Sequence, residues 1–312
     1  MSDFESVAVL FPCYEPSADC FRFARLWAPT EEGHRVYAAA VLERMHPAME
    51  DVLFPWACFG DDITALELAL VRNATSFLNK QLRDLLPAPA SDLIRVAHGS
   101  HADAWNSLRS IIGPTVIVCP PRDTSCPGSL APLTRVALGS ASVPVIVPRS
   151  CRADERLRTI VVAVDLSPAC RPLVEQAVTI AHRLGAVVHP VYVTPTVNHL
   201  DHGGMYKAEE RPRTARDPQK QWNQIRESLD VPFAAHQTLD TLLAPLNVLW
   251  GDPAAALLEF STSNPCDVIL IGHSRATAQP RFSPGRTATH VLQYATCHVA
   301  CYPIPVSHPA EP

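Results

Sequence analysis

The sequence predicts an α/β protein made of two tandem domains, each a doubly wound parallel sheet with its helices as crossovers. Three observations lead there. Continuous apolar runs rich in β-branched residues read as strands buried on both faces. Helical spacings separate those runs, which is the alternation of a parallel sheet. The two halves of the 312-residue chain also correspond unit by unit, in the same order.

The first strand of the first half is Ser6-Val-Ala-Val-Leu-Phe-Pro12, and that of the second half is Thr159-Ile-Val-Val-Ala-Val-Asp165. After Asp165, Ser167-Pro168 reads as a cap and first turn. Leu173, Ala177, Ile180, Ala181 and Leu184 follow at helical spacing, with Gly185 as the stop. Ala186-Val-Val-His-Pro-Val-Tyr-Val193 supplies the next strand, and Trp222, Ile225 and Leu229 mark one face of a further helix. The third unit pairs Leu246-Asn-Val-Leu-Trp-Gly-Asp-Pro-Ala-Ala-Ala256 with Ile94-Arg-Val-Ala-His-Gly-Ser-His-Ala-Asp-Ala104. In each, a strand runs into a glycine and then a cap residue, Asp252 or Ser100. The fourth strands are Asp267-Val-Ile-Leu-Ile-Gly272 and Thr115-Val-Ile-Val-Cys-Pro120. The last are Val299-Ala-Cys-Tyr302 and Val143-Pro-Val-Ile-Val147, where Pro144 fits only an edge or a strand start. The polar stretch at 149–156 is the linker, giving domains at about 1–149 and 156–306.

A hydrophobic content of 47% supplies two cores. The net charge of −5 with no basic run excludes the electrostatic attraction that nucleic-acid binders use. The start Met1-Ser-Asp-Phe-Glu5 lacks a signal peptide's basic and apolar regions, and apolar runs reach only about six residues. The expectation is a soluble cytoplasmic protein without membrane association. The ten cysteines, among them Cys119, Cys266 and Cys301 in or beside apolar runs, are expected as reduced, buried thiols.

In an open parallel sheet, ligands lie beyond the carboxyl ends of the strands, where strand order reverses. Asp165 falls there, as does the loop from Gly272 to Thr287. Gly272 is expected to let the chain turn after its strand. Gly285 precedes a helix starting near Thr287, whose free N–H groups favour an anion such as a phosphate chain.

These residues resemble the universal stress protein family. Its nucleotide-binding members carry Gly, two residues, Gly, nine residues, then Gly followed by Ser or Thr, with an Asp closing the first strand. Gly272, Gly285 and Asp165 fit that pattern, with nine residues between Arg275 and Gly285 and with Thr287 one place past the Ser/Thr position. Arg275 stands at the second glycine and Arg286 at the Ser/Thr. The resemblance implies an adenine nucleotide alpha hydrolase-like, Rossmann-like fold. It implies a stress-response protein that binds ATP or another adenine nucleotide in the second domain, with Mg²⁺ only as the phosphates recruit it. It assigns Val164, Asp165 and Val193 at strand ends, Gly272, His273 and Arg275 at the loop's start, and Gly285, Arg286 and Thr287 at its close. Asp165 would meet the adenosine end, and the arginines would neutralise phosphate charge. It also implies an intrachain pseudo-dimer and allows a homodimer.

The first half carries Pro12 where Asp165 stands, Pro120 where Gly272 stands, and a shorter loop, so it is expected as a structural partner. The alternative for the whole chain is a non-nucleotide scaffold or interaction protein whose arginines seal a vestigial pocket. No lysine precedes Ser or Thr, and neither Gly-x-Ser-x-Gly nor His-Glu-x-x-His occurs, which excludes the common phosphate-loop, hydrolase-elbow and zincin motifs. No positioned base is visible, so a true ATPase is not expected. His199-Leu-Asp-His-Gly-Gly204 reads as a polar loop rather than a metal site, and Trp105, Trp222, Cys297 and Cys301 read as packing.

Overall fold

The computed structural model describes residues 6–13, 16–27, 35–43, 63–85, 90–120, 129–140, 142–151, 155–194, 217–231, 238–274 and 285–304. The chain divides into two units, Met1–Glu155 and Arg156–Pro312. Arg275, the histidines at 199 and 202, and the acidic pairs at 31–32 and 61–62 lie outside the described residues, as does 121–128 of the first unit's loop.

The first unit's described strands are β1 (Ser6–Pro12), β2 (Arg35–Glu43), β3 (Ile94–Gly99), β4 (Val116–Val118) and β5 (Val145–Val147). They lie parallel in the order β3-β2-β1-β4-β5. Its described helices are α1 (Ala18–Trp27), α2 (Ile63–Gln81), α3 (His101–Ile112) and α4 (Pro132–Ser140). Val7 through Phe11 of β1 are fully buried, as a central parallel strand covered on both faces requires. Pro144 lies immediately before β5, where its missing N–H breaks no ladder.

The second unit has β6 (Thr159–Val164), β7 (Val187–Thr194), β8 (Asn247–Trp250), β9 (Val268–Ser274) and β10 (His298–Ile304). They are parallel in the order β8-β7-β6-β9-β10, the same pattern in chain order as the first unit. Helices α5 (Arg171–Leu184), α6 (Pro218–Glu227), α7 (Leu239–Leu242), α8 (Pro253–Ser263) and α9 (Arg286–Tyr294) complete it. Both sheets thus follow the doubly wound pattern expected from the sequence, with the order reversing between first and fourth strands.

The local chemistry repeats as well. Gly99 and Gly251 both have positive φ, +139° and +122°, a region that side-chain-bearing residues rarely adopt. Each hands the chain to an N-cap. Ser100 Oγ accepts the Asp103 N–H at 3.2 Å, and Asp252 Oδ1 accepts those of Ala254 and Ala255 at 3.1 and 3.0 Å. At the other end of the sheets, Thr115 Oγ1 accepts the Ser6 N–H at 3.3 Å, while Asp267 Oδ2 accepts those of Arg158 and Thr159 at 2.6 and 2.8 Å. The residue ahead of the fourth strand thereby ties down the start of the first.

Some boundaries differ from the sequence reading. Helix α5 starts at Arg171, after a 3₁₀ turn at Pro168–Cys170, because Asp165 rather than the helix end takes the Ser167 hydroxyl. Leu173, Ala177, Ile180 and Ala181 are buried as their spacing predicts. Trp222 and Ile225 pack inside, but Leu229 lies past the end of α6 and is half-buried. Pro190 sits within β7, between two neighbours. Its carbonyl accepts from Asn247 Nδ2 at 3.2 Å on the β8 side, and β8 begins to pair only at Val191, so the missing N–H interrupts no ladder. Cys119 and Cys301 are buried as expected, whereas Cys266 and Cys297 are only half-buried.

Candidate functional site

Strand β6 delivers Val164 and then Asp165 to the carboxyl edge of the second unit's sheet. Asp165 Oδ1 accepts both the backbone N–H and the hydroxyl of Ser167, at 2.9 and 2.7 Å. That turn forces Leu166 to φ 57°, the one positive value at a non-glycine among the described residues. A left-handed leucine costs roughly 1–2 kcal/mol, and burial of its side chain helps offset it. Strain of this kind gathers where a site must hold a fixed shape.

The neighbouring strand in the crevice, β9, does not stop at Gly272. It runs on to Ser274, and Gly272 pairs with Tyr302 of β10 without a positive φ. The expected turning role is therefore corrected. Gly272 is needed for space, because a Cβ there would collide with Cδ1 and Cγ1 of Ile304. His273, the next residue, is almost wholly buried.

Helix α9 begins one residue earlier than expected, at Arg286. Its N-cap Gly285 has φ −51° and ψ 158° and brings no side chain to the first turn. The first intrahelical bond is Thr289 N–H to the Gly285 carbonyl, at 3.0 Å. Gly285 itself brings no capping side chain to the first-turn amides of Arg286, Thr287 and Ala288, where the helix end carries a partial positive charge. The contrast with α8 is sharp, since Asp252 already occupies that helix's first amides. The same N–H groups, Ala255 foremost, hold the Asp252 carboxyl below its ordinary value, and the charges of Arg286 and His290 add to the effect.

These elements enclose a cavity of 480 Å³. Val164, Asp165, Val193, Gly272, His273, Gly285, Arg286 and Thr287 all line it, which is eight of the nine residues assigned from the sequence; the ninth, Arg275, lies outside the described residues. The cavity sits at the ends of β6 and β9, where strand order reverses. Sequence reasoning missed the apolar part of the wall: Cys170, Val191, Pro253, Leu257, Ile271 and Ile304. Those side chains carry no pattern that separates a pocket wall from a core. Cys170 is buried behind Asp165, and burial first, then the Asp165 charge, push its thiol up to about 12. It is an inert wall residue, not a nucleophile. Among the described residues the cavity combines an apolar slot, the Asp165 carboxylate, the Arg286 guanidinium and the amino end of α9, a set suited to an amphipathic anion.

No helix among the described residues is long and apolar enough to cross a membrane. No curated protein is similar enough in sequence to match the chain. The model of the Universal stress protein family matches residues 156–303. Among solved structures, a universal stress protein from Archaeoglobus fulgidus DSM 4304 superposes with a TM-score of 0.63 at 14% identity, covering 95% of this chain and 98% of that one. A protein of Pseudomonas aeruginosa UCBPP-PA14 assigned to the same family gives 0.58 at 16% identity, covering 96% and 94%. At such identities the likeness is one of fold. The family match covers residues 156–303, and the solved members of that family share the chain's fold.

Proposed function

We propose that the second unit binds an adenine nucleotide in the cavity at the ends of β6 and β9, as part of a stress-response role. The observation that carries the reading is the meeting of the α9 N-terminus and Arg286 with an apolar slot closed by Asp165. The amides of Arg286, Thr287 and Ala288 would receive phosphate oxygens, Arg286 would neutralise their charge, and the aliphatic walls would hold the base. Asp165, fixed by Ser167, would accept from a ribose hydroxyl. Mg²⁺ would arrive only as the phosphates recruit it. The first unit, with Pro12 and Pro120 in the corresponding places, would serve as a structural partner.

A specific observation favours the second reading, a scaffold with a vestigial pocket. Asp165 Oδ1 is already engaged twice within its own turn, and Asp252 lies close enough to Arg286 to feel its charge. Titration calorimetry of the full chain with ATP, ADP and AMP separates the two. Nucleotide binding requires saturable heat from wild type that falls for Asp165→Ala. Heat absent for all three ligands sinks the first reading in favour of the scaffold.

A further inference from the structure

At the amino ends of β9 and β10, the end of the sheet away from the cavity, two cysteines meet. The Cys266 S–H donates to Cys297 Sγ at 3.6 Å, and both residues are half-buried, so a small oxidant can reach them. The register pairs His298 with Val268, which puts Cys297 beside Asp267 and Cys266 one step along the diagonal. A strand spacing of about 4.8 Å with a one-residue offset of about 3.3 Å separates their Cα atoms by about 5.8 Å. A disulfide spans roughly 4.4–6.8 Å between Cα atoms, so the backbone already has the required spacing. The anchoring is firm on both sides. Asp267 Oδ2 holds the Arg158 and Thr159 amides, and the Asp267 carbonyl accepts the His298 N–H at 3.0 Å.

We propose that Cys266 and Cys297 are a site of reversible oxidation, forming an intramolecular disulfide when the protein meets a peroxide. In the first step one thiol sulfur attacks a peroxide oxygen and the O–O bond breaks, giving a sulfenic acid and water. In the second the other sulfur attacks the sulfenic sulfur, the S–O bond breaks and a second water leaves. Two thiols and one hydrogen peroxide thus become one disulfide and two waters, the sulfurs losing two electrons to the peroxide. The hydrogen bond to Cys297 first, then burial and the charges of Cys297 and Asp267, push the Cys266 thiol up. The ring so closed contains Gly272, Gly285, Arg286 and Thr287, and the bond fastens the base of that segment whether or not a nucleotide binds.

The test uses the reduced full-length chain exposed to hydrogen peroxide, followed by alkylation, digestion without reductant and peptide mass mapping. The Cys266 and Cys297 peptides should be recovered joined. The joined species should vanish on reduction and in Cys297→Ser, with circular dichroism verifying that variant's fold, and should persist in Cys301→Ser. Recovery of both cysteines alkylated, at peroxide levels that oxidise free cysteine, overturns the proposal. So does recovery of separate sulfinic acids or of bonds to other cysteines.

Discussion

Ile304 folds back over Gly272, its Cδ1 and Cγ1 filling the space that a Cβ on Gly272 would need, and both residues line the cavity. Gly272→Ala should therefore force Ile304 aside. The expected loss is about 1–2 kcal/mol, the usual range for overpacking a tight contact. Adding Ile304→Ala should restore part of it, a coupling that urea unfolding of the single and double variants measures. Independent, additive losses would show that the glycine is not held for Ile304's sake.

Asp165 has a structural role that any ligand experiment must separate from binding. Its carboxylate holds the turn in which Leu166 takes a left-handed φ. Asp165→Ala should cost about 1–2 kcal/mol with no ligand present, through lost hydrogen bonds and an unsupported strained residue. Ser167→Ala removes only the hydroxyl bond and should cost about 0.5–1 kcal/mol. If it leaves nucleotide heats unchanged while Asp165→Ala abolishes them, the carboxylate itself meets the ligand.

Arg286 distinguishes the two readings by sign. As a phosphate partner beside the first-turn amides, it should lower ATP affinity by about tenfold to a hundredfold when replaced by alanine, since a charge-assisted hydrogen bond contributes roughly 1.5–3 kcal/mol. As a seal over a vestigial pocket, its removal should raise affinity instead. Calorimetry of Arg286→Ala beside wild type, with ATP and AMP in parallel, reads the direction.

Cys170 should be silent to alkylation. With its thiol pushed up to about 12, iodoacetamide should fail to label it in the native protein at pH 8, yet label it after denaturation. The linkage follows in sign. The folded value lies above the ordinary 9.0, so this thiol's contribution is intact below pH 9.0 and is lost as pH climbs towards 12. Unfolding midpoints of Cys170→Ala and wild type should accordingly converge over that window. Native labelling at the rate of a free cysteine would contradict the burial.

The strands were readable because a parallel strand covered on both faces must be apolar without alternation, as in Thr159-Ile-Val-Val-Ala-Val. The caps were readable because Asp252 and Ser100 follow glycines that only a positive φ explains. Asp165, Gly272 and Gly285 were found in the same way, each at a strand or helix end, and the family resemblance supplied His273, Arg286 and Thr287. The aliphatic wall was not. Leu257 and Ile304 look like any core residue, and nothing in a linear pattern says which face of an apolar side chain meets an empty slot. The cysteine pair escaped for a related reason. Cys266 and Cys297 stand 31 positions apart, and only the β9–β10 register brings their sulfurs together.

Periodicity, caps and glycine placement, which are local consequences of backbone sterics and hydrogen bonding, settled the alternation of strands and helices. The packing of one strand on the next settled the rest. It gave Gly272 to Ile304 instead of to a turn, and Ser167 to Asp165 instead of to a helix end. Such choices between competing partners depend on which groups stand within reach once the sheet is assembled, a distance that no spacing along the chain encodes.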